Sequence, residues 1–204
     1  MSTLGVVLAG GSSSRFGADK AAAILGKKTL LQHVCERAAP QVDKLMINRS
    51  AAAAPQLPGG YAYLPYDWPG EGPLAGILAA VEYASSHDFA HVASFPCDAP
   101  FSPPDLVSRL RAQLILAKAD FCVVRSGGRE HHAFALWSAA CAPVLRTVFL
   151  AGSRSIWCVA DALTKAVADF PSAGEAPVAD QFLNVNSPED LALAAKWLAP
   201  HSVN

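Results

Sequence analysis

The first apolar run, TLGVVLA at residues 3–9, constrains the fold more than any other feature, because it is short, unbroken and rich in valine and leucine. It reads as a strand buried on both faces, since a strand with one wet face alternates apolar and polar residues. Such a strand needs helices above and below it. TLLQHVCERAA (29–39) offers one, with Leu30, Leu31, Val34 and Ala38 on one side. GPLAGILAAVEYASSH (72–87) offers another, with Leu74, Ile77, Leu78 and Val81 at helical spacing. VDKLMIN (42–48), YAYLPYD (61–67) and HVASFP (91–96) read as further strands. SPPDLVSRLRAQL (102–114) reads as a helix capped by Ser102, with prolines in its first turn and Asp105 at the capping-box position. DFCVVRS (120–126) and HHAFALW (131–137) read as strands joined by the turn residues GGRE. SPEDLALAAKWLA (187–199) repeats the Ser-Pro-x-acid opening of a helix, and the alanine run 51–54 with the following PQLPGG reads as a loop. Strands alternating with helices at this pace predict an α/β fold in three layers, αβα, around a mostly parallel twisted sheet. The 204 residues suit one domain, with no internal repeat and no low-complexity linker.

Composition narrows the class. Sixteen basic and 17 acidic residues nearly cancel, so no global field points to nucleic acid or to a membrane surface. The five cysteines form no CxxC pair, which argues against a zinc knuckle or a disulfide ladder and for reduced, mostly buried thiols. The opening MSTLGVVLAGG lacks a basic stretch and a long apolar one, and no run approaches the roughly 18 apolar residues of a membrane span. The expectation is a cytoplasmic protein.

In open α/β sheets ligands sit beyond the carboxyl ends of the strands. The first strand ends in LAGGSSSRFGADK, which supplies Gly10, Gly11, Arg15, Gly17 and Lys20. The second ends at Asn48, the third at Asp67 and the fourth at Cys97 and Asp98. Glycines admit backbone N–H groups to phosphate oxygens, Arg15 and Lys20 can neutralise phosphate charge, and Asp98 is an oxygen ligand suited to Mg²⁺. Two cations, two carboxylates and a glycine-rich backbone are the ingredients of a nucleoside triphosphate site. Plainer roles compete: a turn for the glycines, a helix cap for Asp98, a small buried thiol for Cys97. The loop is not a Walker A motif, because five residues separate Gly11 from Gly17 and no Ser or Thr follows Lys20. His131 and His132 are neighbours on a strand and point to opposite faces, so they do not share one metal ion.

LAGGSSSRFGADKA is similar to the signature LAGGxSxRxGxDKa of the molybdenum cofactor guanylyltransferases, the MobA family of NTP-transferase-like proteins. GPLAGI (72–77), PCDAPF (96–101) and FLNVNSPEDL (182–191) resemble that family's later motifs in the same order, so the likeness runs from residue 4 to about 195. It implies a Rossmann-like fold of the nucleotide-diphospho-sugar-transferase type, with a nucleotide half over about 1–100 and a pterin half over about 101–204. By position, Leu8, Ala9, Gly10 and Gly11 would hold the nucleotide through the main chain, and Lys20 and Arg15 would meet its phosphates. Asn48 and Asp67 would lie on the guanosine side, Asp98 would bind Mg²⁺, and Asn184 and Asn186 would meet the pterin. Two departures fall on the pterin side. His131-His132 stands where relatives often have His-Pro, and GSRS after Ala151 leaves Arg154 as the one cation where relatives often carry a basic pair.

The implied reaction is attack of the terminal phosphate of molybdenum-molybdopterin on the α-phosphorus of GTP. An anionic nucleophile needs no general base, so catalysis reduces to positioning and charge neutralisation by Mg²⁺, Arg15 and Lys20. The resemblance implies GTP and molybdopterin as ligands and a molybdoenzyme or its chaperone as a protein partner. Three alternatives stand beside it. A CTP-dependent sister enzyme is disfavoured by Leu8-Ala9-Gly10-Gly11 and by GPLAG, and a sugar-1-phosphate nucleotidyltransferase by the short chain and FLNVNSPEDL. A non-catalytic molybdopterin carrier has no use for Arg15, Lys20 and Asp98 together.

Overall fold

A computed structural model describes residues 1–10, 19–49, 60–65, 72–171 and 181–198. Strand β1 (Thr3–Leu8) is buried along its whole length and is an interior strand, third in order, of a seven-stranded sheet. It pairs in parallel with β4 (Lys44–Asn48) on one side and β6 (His91–Pro96) on the other. β5 (Ala62–Leu64) extends the sheet in parallel beyond β4. Past β6 come β8 (Arg129–Ser138), β7 (Phe121–Ser126) and β9 (Lys165–Phe170), and the full order is β5-β4-β1-β6-β8-β7-β9. Only β8 runs antiparallel among the described strands of this sheet.

Two apolar cores, one on each face, make the three layers. One gathers α2 (Pro73–Ser86) and α4 (Ala142–Leu150) over Leu4, Val6, Phe121 and Trp137. The other gathers α1 (Leu30–Ala38) and α3 (Leu106–Ala117) over Val7, Ile47, Phe95 and Leu136. α1 opens with a reciprocal capping box, in which the Thr29 hydroxyl accepts from Gln32 N and the Gln32 side chain accepts from Thr29 N. A third, smaller core joins the ribbon β2 (Ile24–Leu25) and β3 (Lys28–Thr29) to α5 (Pro188–Leu198) through Leu25, Leu30, Phe101, Val185 and Ala194. It folds the end of the described chain back over the carboxyl edge of the sheet.

Two expectations need correction. α3 begins at Leu106 with Asp105 as its N-cap residue, not at Ser102, whose hydroxyl is buried without a partner among the described residues. Ser102 and Pro103 each precede a proline, which disfavours the helical region at both. The turn between β7 and β8 is Gly127-Gly128 alone, both at positive φ as a two-residue hairpin requires, while Arg129 and Glu130 already pair with Ser126 and Arg125. The loop expected at 51–60 falls outside the described residues except for Gly60.

Candidate active site

β1 leads through α1 to β4 on one side, whereas α2 crosses to β6 on the other. The strand order therefore reverses between β1 and β6, and open α/β sheets bind ligands at such a point, beyond the strands' carboxyl ends. A cavity of about 190 Å³ opens there. Leu8, Ala9 and Gly10 line it from the end of β1, Cys97 and Asp98 from the end of β6, and Asp19 and Lys20 from the far end of the glycine-rich segment. Pro73, in the first turn of α2, and Ala133 of β8 close the other sides. The approach of Ala133 has a local cause. Val123 pairs with Ala135 but Val124 pairs with His131, so β8 bulges at 132–134 beside the cavity.

Asp98 and Lys20 meet at the centre. Lys20 Nζ donates to Asp98 Oδ2 at 2.9 Å and to Asn186 Oδ1 at 2.7 Å, and both members of the ion pair are more than four-fifths buried. Lys20 is held by a local device: Asp19 caps the 3-10 turn Lys20–Ala22, its Oδ1 accepting from Ala21 N at 3.1 Å. Asn186 arrives by another route. Val185 N donates to Asp98 O at 2.8 Å, and Asn186 N donates to Asp190 Oδ2 at 2.8 Å at the start of α5. Asn184 is half-buried next to it, and its carbonyl accepts from Asn186 Nδ2 at 3.4 Å. Residues expected on opposite sides of the site, Lys20 and Asn186, are therefore in direct contact.

Asn48 is placed differently. Its side chain is buried, donates from Nδ2 to Leu64 O at 3.2 Å, and is not among the residues lining the cavity. It lies under α2 at Gly76, where a Cβ atom would come within 2.4 Å of Asn48 Oδ1. Gly11, Arg15 and Asp67 lie outside the described residues.

Cys97 lines the cavity, but burial and the neighbouring Asp98 carboxylate push its thiol up to about 12, so it stays protonated. The plain reading of Cys97 as a small packing residue fits. His131 and His132 diverge, His131 towards Phe182 and His132 towards Trp157, with ring centroids 5.2 and 4.8 Å apart. Burial lowers the pKa of His132. Arg154 stacks its guanidinium over Phe149 at 4.4 Å and donates to Phe149 O at 2.8 Å. Its own carbonyl oxygen would lie 3.1 Å from a Cβ at Gly72, so its backbone borders the start of α2.

Sequence reasoning missed Asp19 and Arg49. Arg49 follows β4 directly, and its buried guanidinium pairs with the Asp19 carboxylate. The signals were present: Arg49 follows the strand end that singled out Asn48, and Asp19 precedes the lysine that the motif singled out.

Comparison with known proteins bears on the family and the fold. The model for the MobA-like NTP transferase domain matches residues 5–167. A molybdenum cofactor guanylyltransferase of Sinorhizobium fredii is 40% identical over 95% of this chain and 90% of its own length. Among solved structures, molybdopterin-guanine dinucleotide biosynthesis protein A from Archaeoglobus fulgidus superposes with a TM-score of 0.75 at 24% identity, covering 95% of this chain and 97% of that one. A CMP:2-keto-3-deoxy-manno-octonic acid synthetase solved with CTP superposes at 0.74 with 14% identity, over 97% of this chain and 100% of its own, and so shares the fold. A family model spanning most of the chain and a relative aligned nearly end to end lead to one conclusion: the chain belongs to the MobA-like NTP transferase family.

Proposed function

We propose that this chain transfers GMP from GTP to molybdenum-molybdopterin, giving the guanine dinucleotide form of the cofactor and pyrophosphate. The observation that carries this reading is the meeting of Lys20, Asp98 and Asn186 in the crevice between β1 and β6, where a nucleotide and a second substrate can both reach one cation. In the reaction a terminal phosphate oxygen of molybdopterin forms a bond to the α-phosphorus of GTP. The bond from that phosphorus to the bridging oxygen breaks, and pyrophosphate leaves with the electron pair. The nucleophile is anionic at neutral pH, so the site needs no base.

The protein's part is positioning and charge. The backbone of Leu8, Ala9, Gly10 and Gly11 cradles the nucleotide, and Arg15 and Lys20 face its phosphates, Lys20 turning from Asp98 and Asn186 to do so. Asp67 serves the guanosine side, and Asn48 supports that side by fixing β5 and the start of α2. Asn184 and Asn186 receive the pterin. The Asp98 carboxylate, mostly buried but bordering an open cavity, suits Mg²⁺, which takes one or two protein oxygens and leaves its other positions to water and phosphate. Asp98 would hold the ion, which when bound supplies further neutralisation of phosphate charge. The reading places this work in the cytoplasm, upstream of a molybdoenzyme or a chaperone that accepts the dinucleotide.

The test is a nucleotide panel: purified protein, molybdopterin, Mg²⁺ and each of the four NTPs, scored by pyrophosphate release. GTP should dominate. Equal or better turnover with CTP would make the chain a cytidylyltransferase, and molybdopterin retention without pyrophosphate from any NTP would make it a carrier.

A further inference from the structure

We infer that Arg49 is a positioning residue for the transfer reaction, acting through Asp19 to set the Lys20 ammonium in the cavity. The side chain of Arg49 is only 4% exposed, whereas that of its partner Asp19 is 40% exposed. The asymmetry is informative. Asp19 can be satisfied by water, so it does not need a buried guanidinium. Arg49 is the group that bears the desolvation cost, and burial lowers its pKa accordingly. A buried ion pair is weak evidence for stability, so its use is to be sought in geometry.

The geometry leads to one place. Arg49 Nη2 donates to Asp19 Oδ2, and the other oxygen of the same carboxylate accepts from Ala21 N at 3.1 Å. That bond caps the turn whose first residue is Lys20. With both carboxylate oxygens engaged, the turn is pinned to the end of β4. Lys20 can then project its ammonium to within 2.9 Å of Asp98 and 2.7 Å of Asn186. Arg49 itself is not among the cavity-lining residues, while Asp19 and Lys20 both are. Its effect on a bound triphosphate is therefore relayed, not direct. Misplacing a reacting or charge-neutralising group by about 1 Å can cost on the order of a hundredfold in rate, which sets the scale for such a relay.

The activity arm of the test rests on the guanylyl-transfer reading, and a spectroscopic arm does not. Arg49→Met, Asp19→Asn and the double variant are prepared, and kcat and KM are measured for GTP and for molybdopterin. The side-chain ammonium signal of Lys20 is followed by NMR in ¹⁵N-lysine-labelled protein and assigned by its loss in Lys20→Ala. Arg49→Met and Asp19→Asn should each lower kcat by about ten- to hundredfold, with KM for GTP changed by no more than about threefold. The double variant should be no worse than either single one, because both interrupt the same relay. Arg49→Lys, which keeps the charge but not the fork, should recover part of kcat. The Lys20 ammonium protons should exchange faster in Arg49→Met. Multiplicative losses in the double variant, or a loss confined to GTP affinity, would overturn the relay. Asp19→Asn changes a partly exposed side chain with little change of shape and keeps a cap acceptor, so it folds even if Arg49→Met does not. Wild-type kcat in that variant, or an unchanged Lys20 signal in it, overturns the inference on its own. If the unaltered protein transferred no GMP, the reaction reading would fail while the ammonium signal still decided the relay.

Discussion

Asp98 and Gly76 show how one atom more or less decides a residue's role. Asp98 sits at the end of a buried strand with its carboxylate turned into the cavity and held by Lys20. Asp98→Asn keeps the shape and removes the charge. Turnover at saturating GTP should fall by about a hundredfold or more, as when one preorganised charge-stabilising group is lost, with the melting temperature little changed. A Mg²⁺ titration of the variant's turnover checks this, and near-normal activity would return Asp98 to the status of a turn residue. Gly76 has the opposite duty, since it must stay empty. A Cβ there would lie 2.4 Å from Asn48 Oδ1 and 3.0 Å from Leu8 Cδ2. Gly76→Ala should therefore displace α2 or the Asn48 side chain, and a urea titration should show a loss of about 1–3 kcal/mol, the range for overpacking a core. Sequence alone placed Lys20, Asp98 and Gly10 beside one another because they follow strand ends. It could not place Asn48, whose backbone ends a strand but whose side chain turns inward to Leu64 O. Strand-end logic locates a Cα and leaves the direction of the side chain open.

The elements that a single period defines were legible, and those defined by long-range pairing were not. β1 read correctly from its unbroken apolar run, α1 and α2 from helical spacing, and HVASFP was placed correctly as a strand, β6. β9 was missed because KAVADF alternates weakly and owes its place to parallel pairing with β7. The short α4 was missed too; it follows the 3-10 turn Ala139–Cys141 directly and opens with Ala142-Pro143. The start of α5 was legible and matters to the site. Asp190 Oδ2 accepts from both Asn186 N and Ser187 N, and the Ser187 hydroxyl accepts from Asp190 N at 3.2 Å. Asp190→Ala should lower unfolding free energy by about 1 kcal/mol, the usual worth of a helix cap. It should also release Asn186, so that molybdopterin retention weakens while calorimetric GTP affinity holds. Unchanged retention would separate the cap from the substrate site.

For the molecule as a whole, the sheet has a chemical edge and a structural one. The carboxyl edge carries the cavity. At the opposite edge His91 begins β6, almost fully buried, with its pKa lowered by burial first and then by Arg111 and the chain's amino terminus. The sign follows directly. A histidine whose folded pKa lies below its unfolded value of about 6.5 takes up protons on unfolding, so its contribution is complete above that pH and is lost as pH falls. Unfolding free energy measured by denaturant should decline below about pH 6.5, and His91→Gln should flatten that decline. An equal slope in the variant would assign it to other groups. The carboxyl edge carries the central claim, that GTP is split at its α-phosphorus and its GMP is joined to the pterin. It is tested most directly by the fate of label in a single turnover with molybdopterin and Mg²⁺. With label in the α-phosphate of GTP, the account predicts that the label stays in the pterin dinucleotide; with label in the γ-phosphate, it predicts that all of it leaves as pyrophosphate. Label from the γ-phosphate appearing on the pterin would contradict the account.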